Sequence, residues 1–167
     1  PNAITRTLMH PWMSCKKLSW MLHQAEKWIQ DRFVIQDFCL PETVATEFLL
    51  QILDDPAIFP MWVCPIKGTS TPQIFAPNQL TDGRKEGYFI NFGLYGLPNQ
   101  SAPIAWITKH LEKKTNDLGG RKVLYSRTYY TIDEFWKIYP RQAYEALRQR
   151  TAANGTWHEI TDKVLSS

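Results

Sequence analysis

A chain of 167 residues with 44% apolar and 13% aromatic residues can bury a core, which excludes a disordered polymer. Its formal net charge of +3 comes from basic residues spread along the sequence, which gives no footprint for a nucleic-acid partner. Three scattered cysteines at 15, 39 and 64 make no C-x-x-C pair, and no apolar run is long enough to span a bilayer. Free thiols and a cytoplasmic setting are the expectation.

Residues 1–13 carry no clear period. Ser14 opens a predicted helix to about Ile29, with Leu18, Met21, Leu22, Ala25 and Ile29 at helical spacing. Phe33 to Cys39 reads as a strand, closed by Leu40-Pro41. Pro41 suits the first turn of the next helix, whose stripe is Val44, Phe48, Leu49 and Ile52 and whose end is Asp54-Asp55-Pro56. A second strand covers Met61 to Ile66, and residues 67–86, rich in Gly, Pro, Asn and Thr, form a long loop. A third strand runs from Gly87 to about Leu94.

Ser101 to Leu118 is the second long helix, capped by Gly119-Gly120. Lys122 to Tyr130 is the predicted fourth strand. Thr131-Ile-Asp-Glu134 matches a capping box and opens a short helix through Trp136. Helical pieces at about Arg141–Ala152 and Thr156–Val164 close the chain. The order strand–helix–strand–strand–helix–strand predicts an α+β fold, a ferredoxin-like βαββαβ antiparallel sheet with additional N- and C-terminal helices. It is read as one substrate-binding domain over 1–167. An arm and helix cover 1–30, the βαββαβ core covers 31–130, and the C-terminal helices cover 131–167. Both long helices then lie on one sheet face, leaving the other to the terminal helices, a partner or a ligand.

The familiar catalytic signatures are missing. His10, His23, His110 and His158 stand alone, so no metal site is expected. No glycine-rich phosphate cradle, G-x-S-x-G elbow or Cys–His pair appears. The basic run from Arg141 to Arg150 reads as a solvated helix face. Polar groups set among rings remain. Asn91 interrupts Phe89, Ile90 and Phe92, and Arg127 falls between Tyr125 and Tyr129 on one face of the predicted strand. Asn91 satisfying backbone groups, or Arg127 pairing with Asp37 or Glu134, explains them structurally. Facing an apolar cleft, the same groups would orient a hydrophobic small molecule by one polar end.

Several segments in one order resemble the substrate domain of the FAD-dependent Δ24-sterol reductase family. They are Pro11-Trp12-Met13, Val34-Ile35-Gln36-Asp37, Trp62-Val-Cys-Pro65, Gly93-Leu-Tyr-Gly96, Leu124-Tyr125 and Asp133-Glu134-Phe135-Trp136. Tyr144-Glu-Ala-Leu147-Arg148 and His158 to Val164 extend the likeness to the C-terminus. The resemblance implies a sheet that closes over a flavin and cradles a sterol side chain, with a pocket drawn from Trp62, Tyr88, Asn91, Phe92, Tyr95, Tyr125 and Phe135. It also implies FAD as cofactor if the chain is part of a longer protein; no cofactor is expected within the chain itself. Asn91 stands where the family tends to have an acid, and Thr161 where it has a tyrosine.

These features lead first to a cofactor-free enzyme. It would fold a terpenoid or polyene for cyclisation, including intramolecular Diels–Alder cycloaddition, through preorganisation. Arg127, Tyr95 and Asn91 are the catalytic candidates, with Arg127 or a tyrosine hydroxyl polarising a carbonyl. Trp62, Tyr88, Phe92, Tyr125, Tyr129 and Phe135 are the substrate-binding candidates. The alternative is a substrate-domain fragment of an FAD-dependent reductase acting on an alkene, and a further alternative is a non-catalytic terpenoid or sterol carrier. The sheet face once covered by a flavin domain is a candidate homodimer surface.

Overall fold

A computed structural model describes residues 20, 28–29, 31–81, 83, 85–99 and 101–165. The predicted arm and most of the predicted helix Ser14–Ile29 lie outside these residues, as do Cys15, His10 and His23. From residue 31 the elements are β1 (Val34–Pro41), α1 (Glu42–Asp54), β2 (Phe59–Lys67), β3 (Tyr88–Leu97), α2 (Ile104–Asp117) and β4 (Arg121–Lys122). Then come α3 (Ile132–Ile138), α4 (Arg141–Arg150) and α5 (Ile160–Val164). The sheet order is β2-β3-β1-β4 with every neighbouring pair antiparallel. That is the split βαββαβ arrangement expected of the sequence, an α+β fold.

Side-chain alternation divides the sheet into two faces. Val34, Phe38 and Leu40 of β1 and Phe92 and Leu94 of β3 point toward α1 and α2. There they join Phe48, Ile52, Ile107 and Leu111 in the main core. Phe48 meets Phe38 and Phe92 with ring centroids 6.0 and 5.4 Å apart. Each such fully buried side chain contributes about 1.5–3 kcal/mol of burial free energy. The period of 3.6 in α1 explains why Ala45, Phe48 and Ile52 are buried while Leu50 and Leu53 are exposed.

Three expectations need correction. The predicted fourth strand, Lys122 to Tyr130, ends after two residues. The backbone beyond it is held by side chains instead of a sheet ladder. Lys122 Nζ and Gln36 Nε2 both donate to the Arg127 carbonyl, and Tyr129 N–H donates to both Glu112 oxygens at 3.1 Å. Glu112 and Lys122 form a fully buried ion pair at 2.8 Å. Burial lifts the Glu112 carboxyl and lowers the Lys122 amine, each opposed by the partner's charge.

The long loop after β2 is present as expected, and parts of it pack against the rest of the fold. Leu80 packs on Cys39, Phe89 and Ile66, covering one end of the second sheet face. Phe75 inserts among Phe135, Tyr139 and Tyr144, with centroids 5.5–6.3 Å away. The second correction concerns Arg148, which is buried and not part of a solvated face. Its guanidinium donates to the carbonyls of Ala153, Trp157 and His158, to Asn154 Oδ1 and to Tyr144 Oη. Those bonds hold residues 151–160 as a compact turn, and the third correction follows: the final helix, expected over 156–164, is only α5. The capping box on α3 is present as expected, with Thr131 Oγ1 and Glu134 each accepting from the other's backbone N–H.

Candidate functional site

The second sheet face carries Ile35, Asp37 and Cys39 from β1, Asn91, Gly93 and Tyr95 from β3, and Trp62 and Cys64 from β2. The register sets Trp62, Gly93 and Asp37 in one row across three strands, and Cys64, Asn91 and Cys39 in the next. Leu80 covers the Cys39 end. Toward the other end Trp62 remains 63% exposed, Tyr125 54% and Ile35 40%. Apolar surface therefore surrounds a small polar centre.

Tyr95 Oη donates to Asp37 Oδ1 at 2.7 Å, and Tyr125 lies close enough to both for them to raise its pKa. Glycine at 93 permits this geometry. A Cβ there would stand 2.5 Å from Asp37 Oδ1 and 2.6 Å from the Tyr95 ring, so the ring can lie across position 93 only because no side chain is present. Burial and then the Tyr95 hydrogen bond and Asp37 charge push Tyr125 well above the ordinary tyrosine range. Tyr95 is also raised, by burial first and by its bond to Asp37, against a Tyr125 hydrogen bond that pulls it down. Both phenols hold their protons at neutral pH.

One row away, Asn91 is buried and its Oδ1 has no hydrogen-bond partner. The structural role considered for Asn91, satisfying backbone groups, is therefore not what this oxygen does. Cys39 lies beneath, its thiol pushed up to about 12 by burial and by Asp37.

A cavity of about 620 Å³ opens beside this centre, where β4 stops and, among the described residues, no strand continues along that edge of β1. Tyr125, Arg127 and Tyr129 all line it, so three residues expected to share a strand face share a cavity instead. Arg127 is exposed there. The structural partners considered for it are engaged elsewhere, Asp37 by Tyr95 and Glu134 by Thr131.

Of the nine candidate residues, Trp62, Asn91, Tyr95 and Tyr125 belong to the open face, and Tyr125, Arg127 and Tyr129 to the adjoining cavity. The other three are elsewhere. Phe92 is sealed in the core on the helix side of the sheet, because even positions of β3 face α1. Tyr88 has the same parity at the strand's start. Phe135 is fully buried against the rings of Phe75, Trp136 and Tyr139. Gly93, Asp37 and Thr108 escaped the sequence reading as site residues. The glycine inside a strand was the available signal, since it marks a close approach. Among the described residues no three His, Cys, Asp or Glu side chains gather as metal ligands.

No protein-family model matches the chain, and no solved structure matches it. Among curated proteins, the Delta(24)-sterol reductase of Homo sapiens is 28% identical over 171 aligned positions. That of Rattus norvegicus is 27% identical and the Delta(24)-sterol reductase homolog dhcr-24 of Caenorhabditis elegans 23%. Each alignment covers 99% of this chain. The chain is a distant relative of the Δ24-sterol reductases. It spans about a third of their length, 32% of each. The relationship to the sterol reductases thus includes every strand of the open face and the segment that carries Tyr125 and Arg127.

Proposed function

We propose that this chain is the substrate-binding part of an FAD-dependent reductase that acts on an alkene in an apolar, sterol-like molecule. The observation that carries this reading is the Tyr125–Tyr95–Asp37 centre on an uncovered apolar sheet face, in a chain matched along 99% of its length by Δ24-sterol reductases. Trp62 and Ile35 supply the apolar contact for a rigid hydrocarbon. Tyr95 and Tyr125, kept protonated by their surroundings, supply a hydrogen-bond donor and a proton source beside it.

The residues of the open face fit one wall of a flavin site. Trp62 offers an exposed ring, and the unpartnered Asn91 Oδ1 offers an acceptor. The sequence has no phosphate cradle, so FAD would be held chiefly by other parts of the protein. Bound there, FAD supplies hydride chemistry. Reduction of the alkene also needs one proton at the second carbon, and Tyr95 Oη is the group this chain offers for it. On this reading the uncovered face meets a flavin-bearing partner region and not a second copy of the chain.

Cofactor-free cyclisation would use the same face. It rests on the aromatic and polar residues alone, whereas the reductase reading has the relatives as well. The test is a chimera in which this chain replaces the matching third of a Δ24-sterol reductase. With the flavin pre-reduced under anaerobic conditions, a sterol bearing a side-chain alkene should reoxidise it, and a saturated sterol should not. Y95F should slow reoxidation at least tenfold. A folded, FAD-containing chimera that never reoxidises, together with cyclised product from a polyene incubated with the chain alone, would replace reduction by cyclisation.

A further inference from the structure

We propose that the cavity at the edge of β1 where β4 stops binds an amphipathic anion, with a carboxylate or phosphate head on an apolar body. This site adjoins the alkene-reducing face and shares Ile35 and Tyr125 with it, but its argument does not depend on that reading. Its volume of about 620 Å³ lies in the range of small-molecule sites. Its apolar lining is Phe33, Ile35, Ile104, Leu124, Val164 and Leu165. The rest is polar, and among the described residues no carboxylate lines it.

Three observations give the polar end its sign. Arg127 and Lys163 line the cavity and are exposed within it, so both cations are available without disturbing the fold. The N-terminal end of α2 borders it, through Ile104 in the first turn and Thr108 in the second. That helix has 14 residues, proline at its N-cap, no side-chain cap and no acidic residue in its first turn. Its positive end is therefore uncompensated, the condition that favours an anion. Glu112, one turn beyond Thr108, is neutralised by Lys122.

The third observation is Thr108 itself. It is fully buried, it lines the cavity, and its Oγ1 has no partner. Buried hydroxyls are normally satisfied, and an orphan beside a cavity asks for an acceptor from a ligand. The neighbouring polar groups are already engaged, since Ser126 Oγ donates to Gln36 Oε1 and Gln36 Nε2 to the Arg127 carbonyl. Besides the hydroxyls of Tyr125 and Tyr129, what is left over is the Thr108 hydroxyl, two cations and a helix end, which together suit a compact anion.

The test is calorimetric titration of the chain with octyl phosphate, octanoate and octanol. Both anions, or one of them, should bind at least tenfold tighter than the alcohol. A tenfold preference between the anions assigns the head group as phosphate or carboxylate. The double variant R127Q/K163Q should lose at least tenfold in anion affinity and leave octanol unchanged. T108V should weaken anion binding several-fold yet raise the melting temperature of the unliganded chain, because valine removes a hydroxyl that lacks a partner. Equal affinity for octanol and the anions, or wild-type anion binding by R127Q/K163Q, would overturn the proposal. So would a lower melting temperature for T108V, since the hydroxyl would then already be satisfied.

Discussion

Replacing Lys122 with methionine tests the claim that a buried ion pair, and not a fourth strand, holds residues 123–130. Methionine keeps the length of the side chain and removes its charge. Glu112 then keeps only the Tyr129 N–H, at 3.1 Å from each oxygen, and loses a cation at 2.8 Å. Removing one partner of a buried pair costs about 3–5 kcal/mol. The Arg127 carbonyl still receives Gln36 Nε2 at 3.1 Å, so no backbone group is orphaned and about 3 kcal/mol is the expected loss. The loss should depend on pH with a definite sign. Without Lys122 the Glu112 carboxyl rises further above 4.5, its ordinary value, so the folded state binds the extra proton more tightly than the unfolded one. The penalty is absent below that ordinary value and grows as pH rises through the folded one. Urea unfolding at pH 7.5 and pH 5 should therefore show a larger deficit at the higher pH. The double variant E112Q/K122M keeps an acceptor for Tyr129 and leaves no buried charge, so it should recover to within about 1 kcal/mol of the wild type. A K122M loss below about 1 kcal/mol at pH 7.5, or one independent of pH, would refute the reasoning.

Other substitutions probe the remaining features. G93A places a methyl group against Asp37 and the Tyr95 ring, so it should cost about 1–3 kcal/mol and swing Tyr95 off Asp37. Spectrophotometric titration of the tyrosines would show Tyr95 ionising at lower pH, and an unchanged titration would contradict the packing. T131A should cost about 1 kcal/mol in thermal unfolding by removing the Oγ1 acceptor of the Glu134 N–H. The Glu134 carboxylate, lowered chiefly by its bond from the Thr131 N–H, contributes stability above its ordinary range that is lost as pH falls through the folded value. T131A keeps that N–H and should keep the acid sensitivity. At pH 8 an alkylating reagent should label the half-buried Cys64 and spare the buried Cys39, whose thiol sits at about 12. Peptide mass spectrometry would reveal the opposite order if the Leu80 cover were absent.

The sheet and its helices were legible because their periods are local. Val34, Phe38 and Leu40 repeat at two, Ala45, Phe48 and Ile52 at three to four, and each pattern meets the same core. The capping box at Thr131 was legible for the same reason. What the sequence concealed was long-range. Tyr125, Arg127 and Tyr129 look like a strand because they alternate, yet their backbone is satisfied by side chains of Gln36, Glu112 and Lys122, up to 91 positions away. Glu112 and Lys122 sit among other charges in the sequence, so nothing local marks them as buried. Phe92 and Phe135 belong to the same aromatic-rich segments as Tyr95 and Tyr125. Only the register of β3 and the packing of α3 separate core rings from those at the candidate site. Arg148 reads as surface charge until the turn that follows α4 folds back onto it.

The central claim is that the Trp62–Tyr95–Tyr125 face receives an apolar alkene, and mapping a sterol onto the chain tests it most directly. Nuclear magnetic resonance spectra would be recorded as a sterol bearing a side-chain alkene is titrated in from cyclodextrin. The Trp62 indole should be assigned by comparison with W62F. The account predicts saturable shifts at the Trp62 indole and at the ring signals of Tyr95 and Tyr125, with Phe38 and Leu111 in the opposite core unmoved. Shifts that spare all three rings at saturation, in a chain that remains folded, would contradict it.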